Sequence, residues 1–147
     1  MLMYPKADIP VVCVSLHSSL SASENMKIGK GLQSLRDEGV FVVGSGYTFH
    51  NMEALFHPSK QSKKASQDFN AWLKDTMLEK NNKEEHLLQW ESAPGARICH
   101  PREEHLLPLF CVAAAADFTT PKLVFDTSDL DESGFDGNFA VSGYLFH

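Results

Sequence analysis

Apolar positions along this chain switch between a strand period and a helix period. The run Ile9-Pro10-Val11-Val12-Cys13-Val14-Ser15-Leu16 is rich in β-branched residues and carries its proline near the start, where a missing amide donor costs least. It predicts a strand over Ile9–Leu16. Ser21 and Glu24 then have capping-box spacing, Ile28, Leu32 and Leu35 recur at helical intervals, and Gly39 stands where a left-handed C-terminal cap would sit, so a helix is expected between them. Val40-Phe41-Val42-Val43, closed by Gly44, is a continuous apolar run and reads as a strand buried on both faces. Strand, helix, strand with short joins implies a right-handed crossover and parallel pairing.

Downstream, a polar segment with Pro58 precedes Phe69, Trp72, Leu73, Thr76 and Met77, which match one face of an amphipathic helix. A short helix holding Leu87, Leu88 and Trp90 should end at Pro94-Gly95. Leu106 to Ala116 is an apolar, alanine-rich helix in which Pro108 forces a kink or a late start. Lys122–Phe125 and Phe139–Phe146 are the remaining expected strands, joined by an acidic stretch containing Asp126, Asp129, Asp131, Glu132 and Asp136. That stretch lacks the closing acid of a calcium-binding EF-hand loop, Ala140 standing at the twelfth position from Asp129, and reads as a solvated connection. The expected fold is α/β: a central, mostly parallel or mixed sheet flanked by helices.

Composition narrows the function classes. At 147 residues and 43% hydrophobic content the chain suits one domain with a real core. A net charge of −6 argues against general affinity for nucleic acid or an anionic membrane, because phosphate binding rests on clustered Lys and Arg. No stretch has the length of a membrane span. Cys13, Cys99 and Cys111 are odd in number and far apart, and are expected to be buried free thiols of a cytoplasmic protein.

Candidate chemistry gathers at histidines beside element ends. His50 follows Gly44-Ser45-Gly46 just after an expected strand, where ligands collect in open α/β sheets, and imidazole is the side chain best suited to move protons near neutral pH. His100 and His105 lie in the segment that leads into the alanine-rich helix. No zinc-protease, paired-cysteine or phosphate-loop pattern occurs.

Read together, Ile9-Pro10-Val11-Val12, Gly31-Leu32 with Leu35-Arg36-Asp37-Glu38-Gly39-Val40, the GSGxxxHN stretch from Gly44 to Asn51, Phe69-Asn70-Ala71-Trp72-Leu73, and the PxxEHLLPL stretch from Pro101 to Leu109 resemble the class III extradiol ring-cleavage dioxygenases. Within these the sequence is most similar to the 4,5-DOPA dioxygenase group, in order from about Tyr4 to Phe146. The resemblance implies an enzyme that opens a catechol such as DOPA with O2, using a non-haem metal, Fe(II) or in some members Zn(II). It implies that His50 is the acid/base residue and His105 a metal ligand. Asn51 and His100 would contact substrate, and Pro101 would shape the approach to the ligand.

The resemblance also implies two further histidine ligands ahead of Met1, and neither His17 nor His57 matches them. Residues 1–147 are therefore expected to form a single partial catalytic domain, truncated at the N-terminus, with an exposed sheet edge and a tendency to associate with itself. The alternative function is a catalytically inactive domain that acts as a binding or regulatory partner. A hydrolytic zinc site from His100, Glu104 and His105 ranks below both, because residues so close in a first helical turn make poor joint ligands.

Overall fold

The computed structural model describes residues 5, 6, 8–128 and 139–147. Helices dominate it. Helix α1 (Ala22–Gly31) and α2 (Gln33–Asp37) occupy the first expected helix, with a break at Leu32. The capping box foreseen at Ser21 does not form: Ser21 pairs with the Ser23 hydroxyl, and Glu24 binds Lys27. The C-terminal cap does form. Gly39 has φ +80°, its amide donates to the Arg36 carbonyl, and the Val40 amide donates to that of Leu35, which is the Schellman arrangement.

Helix α3 (Met52–Phe56) is followed by α4 (Lys60–Leu78), the long amphipathic element. A reciprocal Ser59–Ser62 capping box opens α4. Its buried face runs through Ala65, Ser66, Phe69, Asn70, Leu73, Thr76 and Met77, the i, i+3, i+4 stripe that a core demands. Helix α5 (Lys83–Leu88) and a 3-10 turn (Trp90–Ser92) bury Leu87 and Trp90, while Leu88 faces outward. Gly95, at φ +74°, turns the chain into α6 (Ala96–Cys99).

Helix α7 (Leu107–Ala115) begins late, with Pro108 in its first turn, where the absent amide would have had no partner in any case. Leu107, Phe110 and Ala113 to Ala115 are buried, and α1 lies along the helix. Close approach explains a glycine here: a Cβ on Gly29 of α1 would strike the Cys111 carbonyl and sit 2.9 Å from the Ala114 Cβ.

The sheet departs from expectation. Strands β1 (Lys122–Asp126) and β2 (Ser142–Leu145) pair antiparallel, Lys122 opposite Leu145 and Asp126 opposite Ser142, with a bulge between Leu123 and Phe125. The expected strands Ile9–Leu16 and Val40–Val43 are instead extended segments outside any ladder, and among the described residues there is no parallel pairing. A strand requires a neighbour to accept its amides, and among the described residues neither segment is paired in a ladder. Their side chains are accordingly exposed, Val12 by 85% and Phe41 by 60%. Cys13 shares that exposure, contrary to the expected burial, whereas Cys99 is buried and Cys111 partly so. The acidic stretch beyond Ser128 lies outside the described residues. No helix among the described residues is long and apolar enough to cross a membrane.

Candidate active site

The glycines of Gly44-Ser45-Gly46 let an extended backbone lie flat on the first turn of α7. A Cβ on Gly44 would come within 2.6 Å of the Pro108 carbonyl, and one on Gly46 would collide with that of His105. With nothing in the way, the Tyr47 amide donates to the His105 carbonyl at 2.8 Å. That bond joins the two sequence motifs directly.

Three residues beyond Tyr47, the His50 ring stacks on the His105 ring, centroids 3.5 Å apart and planes 13° from parallel. The backbone around His50 is pinned on its other side. Its amide donates to the Cys99 carbonyl at 3.0 Å, and the Asn51 amide group donates to the Ile98 carbonyl at 2.7 Å. The Asn51 side-chain oxygen also accepts from the Ala54 amide and caps α3. Asn51 thus spends both ends of its side chain holding the loop that carries His50.

Both rings open onto a cavity of about 470 Å3, walled by Tyr47, Leu55, Thr127, Phe139 and Val141. Phe139 is held there by stacking on the buried Phe49 at 4.1 Å. Burial lowers the His50 pKa, and the neighbouring His105 lowers it further, against an opposing pull from Glu104. His50 is therefore a neutral base at neutral pH. The His105 Nδ1 is buried and without a partner, 4.0 Å from the Glu104 carboxylate, yet 42% of the side chain is exposed. Exposure therefore falls on the Nε2 edge, the nitrogen free to meet a ligand.

His100 does not reach this cavity. It is fully buried, packed edge-on against Phe69 and Trp90, and its Nε2 donates to the Thr48 carbonyl at 3.0 Å. Burial depresses its pKa to about 4. Thr48 in turn accepts the Ser142 amide on its hydroxyl at 2.9 Å, so His100 ties α6 to the Gly44–Asn51 motif and, through it, to β2. Because His100 turns away from His105, the alternative trio of His100, Glu104 and His105 does not converge, and no group of three His, Cys, Asp or Glu among the described residues could hold a metal. Thr48, Leu55, Thr127 and Phe139 were not foreseen as parts of the site. They are ordinary apolar or hydroxyl residues, and only packing brings them there.

Comparison with known proteins gives this geometry a family. Residues 1–135 match the family described as the catalytic LigB subunit of aromatic ring-opening dioxygenase. The chain belongs to that family. It is 30% identical over 135 residues to the 4,5-DOPA dioxygenase extradiol of Portulaca grandiflora, covering 91% of this chain and 50% of that protein. Its identity to the protein of the same name from Escherichia coli (strain K12) is 35% over 121 residues, covering 81% of this chain and 45% of that one. The crystal structure of the uncharacterized protein JW3007 from Escherichia coli K12 superposes with a TM-score of 0.80 at 28% identity, covering 99% of this chain and 58% of that chain. The chain spans about half the length of the curated relatives it matches.

Proposed function

We propose that this chain carries the proton-transfer part of an extradiol ring-opening site, in which a catechol lies in the cavity against the His50–His105 pair. The observation that supports this reading is the stacking of those two imidazoles at 3.5 Å against one cavity large enough to admit a substituted aromatic ring. His50 is the acid/base residue. Its neutral ring accepts a proton from one catechol hydroxyl, and the imidazolium so formed, facing Glu104, can return it after the ring has opened. Asn51 and His100 act by holding the His50 loop in place, which replaces the direct substrate contacts expected of them.

His105, through its exposed edge, is offered as a donor to a non-haem metal, Fe(II) or Zn(II). Metal sites that activate O2 need three protein ligands on one face with positions left open, and the described residues of this chain do not fit that group by themselves. Relatives named as 4,5-DOPA dioxygenases make ring opening by O2 the reaction that His50 would serve. The unpaired Cys13, Cys99 and Cys111 support a cytoplasmic setting.

Catechol titrated into the chain and followed by the ring resonances of His50 and His105 tests the reading. The expected result is saturable shifts of both rings in the parent and binding weakened about tenfold in His50→Ala, which loses the acceptor for a catechol hydroxyl. Binding that survives unchanged in His50→Ala removes His50 from the proposed role.

A second reading, a non-catalytic binding partner, draws support from the exposed Val11, Val12, Phe41 and Val43. A parent chain that binds no catechol and is dimeric by light scattering favours it.

A further inference from the structure

One part of this chain is a strand without a sheet, and another is a sheet edge without its next strand. Ile9–Leu16 is extended and rich in β-branched residues, and Ile9, Val11, Val12 and Val14 are between 49% and 85% exposed. Elsewhere a second cavity, of about 390 Å3, is lined by the extended Val40–Gly44, by β2 and by Leu109, Val112 and Ala115 of α7. Among the described residues β2 is paired with β1 alone and Val40–Gly44 with nothing, so both segments that border this groove have main-chain groups left for a third. Free edges in natural sheets are blunted by charges, above all Lys, or by Pro. Ile9–Leu16, Val40–Gly44 and β2 contain no charged residue, and Pro10, near one end, is their one proline. Edges without such devices are the ones that pair.

We propose that a second copy of this chain covers them, Ile9–Leu16 of each copy adding as a strand to the groove between Val40–Gly44 and β2 of the other. Each copy holds both the strand and its seat, so the exchange closes on itself with two-fold symmetry. The area is sufficient. The strand side chains together with Val40, Phe41, Val43 and Phe125 of the seat, all about half exposed or more, offer on the order of 500 Å2 of apolar surface per copy. The apolar share of a standard interface is roughly 450 Å2 of about 800 Å2 per partner. The pairing does not depend on the catechol reading. It would nevertheless brace the candidate site, because Gly46, Tyr47 and His105 line both cavities.

Sedimentation equilibrium and amide hydrogen exchange on the full chain test the proposal. The parent should be dimeric at about 10 μM, the weak end for an interface of this size, and the amides of Val11 to Leu16 should become protected as the dimer forms. Val12→Lys on the strand and Val43→Lys in the seat each set one charge into the contact and should weaken the dimer at least about tenfold. Both positions are exposed, so the urea midpoint of the monomer should match the parent's. The decisive readout is that Val43→Lys also releases the amides of Ile9–Leu16, a segment distant from it in sequence. A parent that stays monomeric overturns the proposal and leaves the face to a different polypeptide. A dimer broken by Val12→Lys and indifferent to Val43→Lys is a strand-to-strand pairing, which overturns the assignment to the groove.

Discussion

Two faces of the molecule are built from the same kinds of residue and end in opposite states. On one, Phe69, Leu73, Leu87, Trp90 and Phe110 interlock around α4, α6 and α7, almost wholly removed from water, and His100 is drawn in with them. On the other, Val11, Val12, Val14, Phe41 and Val43 stand in extended backbone with their side chains in solvent. Hydrophobicity does not separate the two sets. Helices satisfy their own amides and need only something apolar to lie against, whereas an extended segment needs another segment to bond to before its side chains can pack. The candidate site lies at the seam: Gly44 to Tyr47 continue the exposed segment and rest on α7 of the packed face.

The contrast is broken most severely from the packed side. Phe69→Ala removes a fully buried ring that touches Trp72 and His100, and should cost about 3–5 kcal/mol in urea unfolding.

Acid is the next lever. His100 has its pKa depressed to about 4 in the folded chain against 6.5 for the ordinary group. Above pH 6.5 both states leave it neutral; below that the unfolded chain takes up a proton that the folded chain refuses. Stability should therefore decline as pH falls from 6.5 to 4, by roughly 3 kcal/mol at most. The slope should flatten in His100→Gln when unfolding midpoints are measured across that window. Asp126, held down to about 2 despite its burial by hydrogen bonds from Lys74 and Ser128, contributes stability that is lost only at lower pH, so it does not mask the effect.

The seam is probed by Gly46→Ala, whose methyl group must displace the His105 carbonyl. We expect a loss of about 1–3 kcal/mol, as for other overpacked contacts. The cross-peaks between the two imidazole rings in a nuclear Overhauser spectrum should weaken with it.

The exposed face should be the least sensitive. Val12→Thr is expected to change stability by less than about 0.5 kcal/mol. Any self-association seen by light scattering should diminish, since the exposed apolar patch shrinks. A large loss of stability in Val12→Thr would mean that the two faces are not as different as their exposure indicates.

These two faces also mark what could be read from sequence. The stripe of α4, the glycine cap at Gly39 and the late start of α7 are local in origin, written in residues within a turn or two of each other, and the structure contains them. The parallel sheet was inferred from the apolar runs at Ile9–Leu16 and Val40–Val43, but pairing depends on a distant neighbour, which no local pattern specifies. In the site, the two motifs gave the residues 50 and 105 that the fold brings into contact. The burial of His100 is not legible beside its helix end, because it comes from Phe69 and Trp90, ten or more residues away. Phe139 and Thr127 carry no motif, and only the folding of β1 and β2 brings them to the cavity.

One main-chain bond, from the amide of Tyr47 to the carbonyl of His105, carries a lesson for engineering. Because each histidine's scaffold is a rung of the other's, the stretches around residues 50 and 105 are a single transferable unit. A transplant of either stretch alone into a foreign host would move an imidazole without the ruler that spaces it.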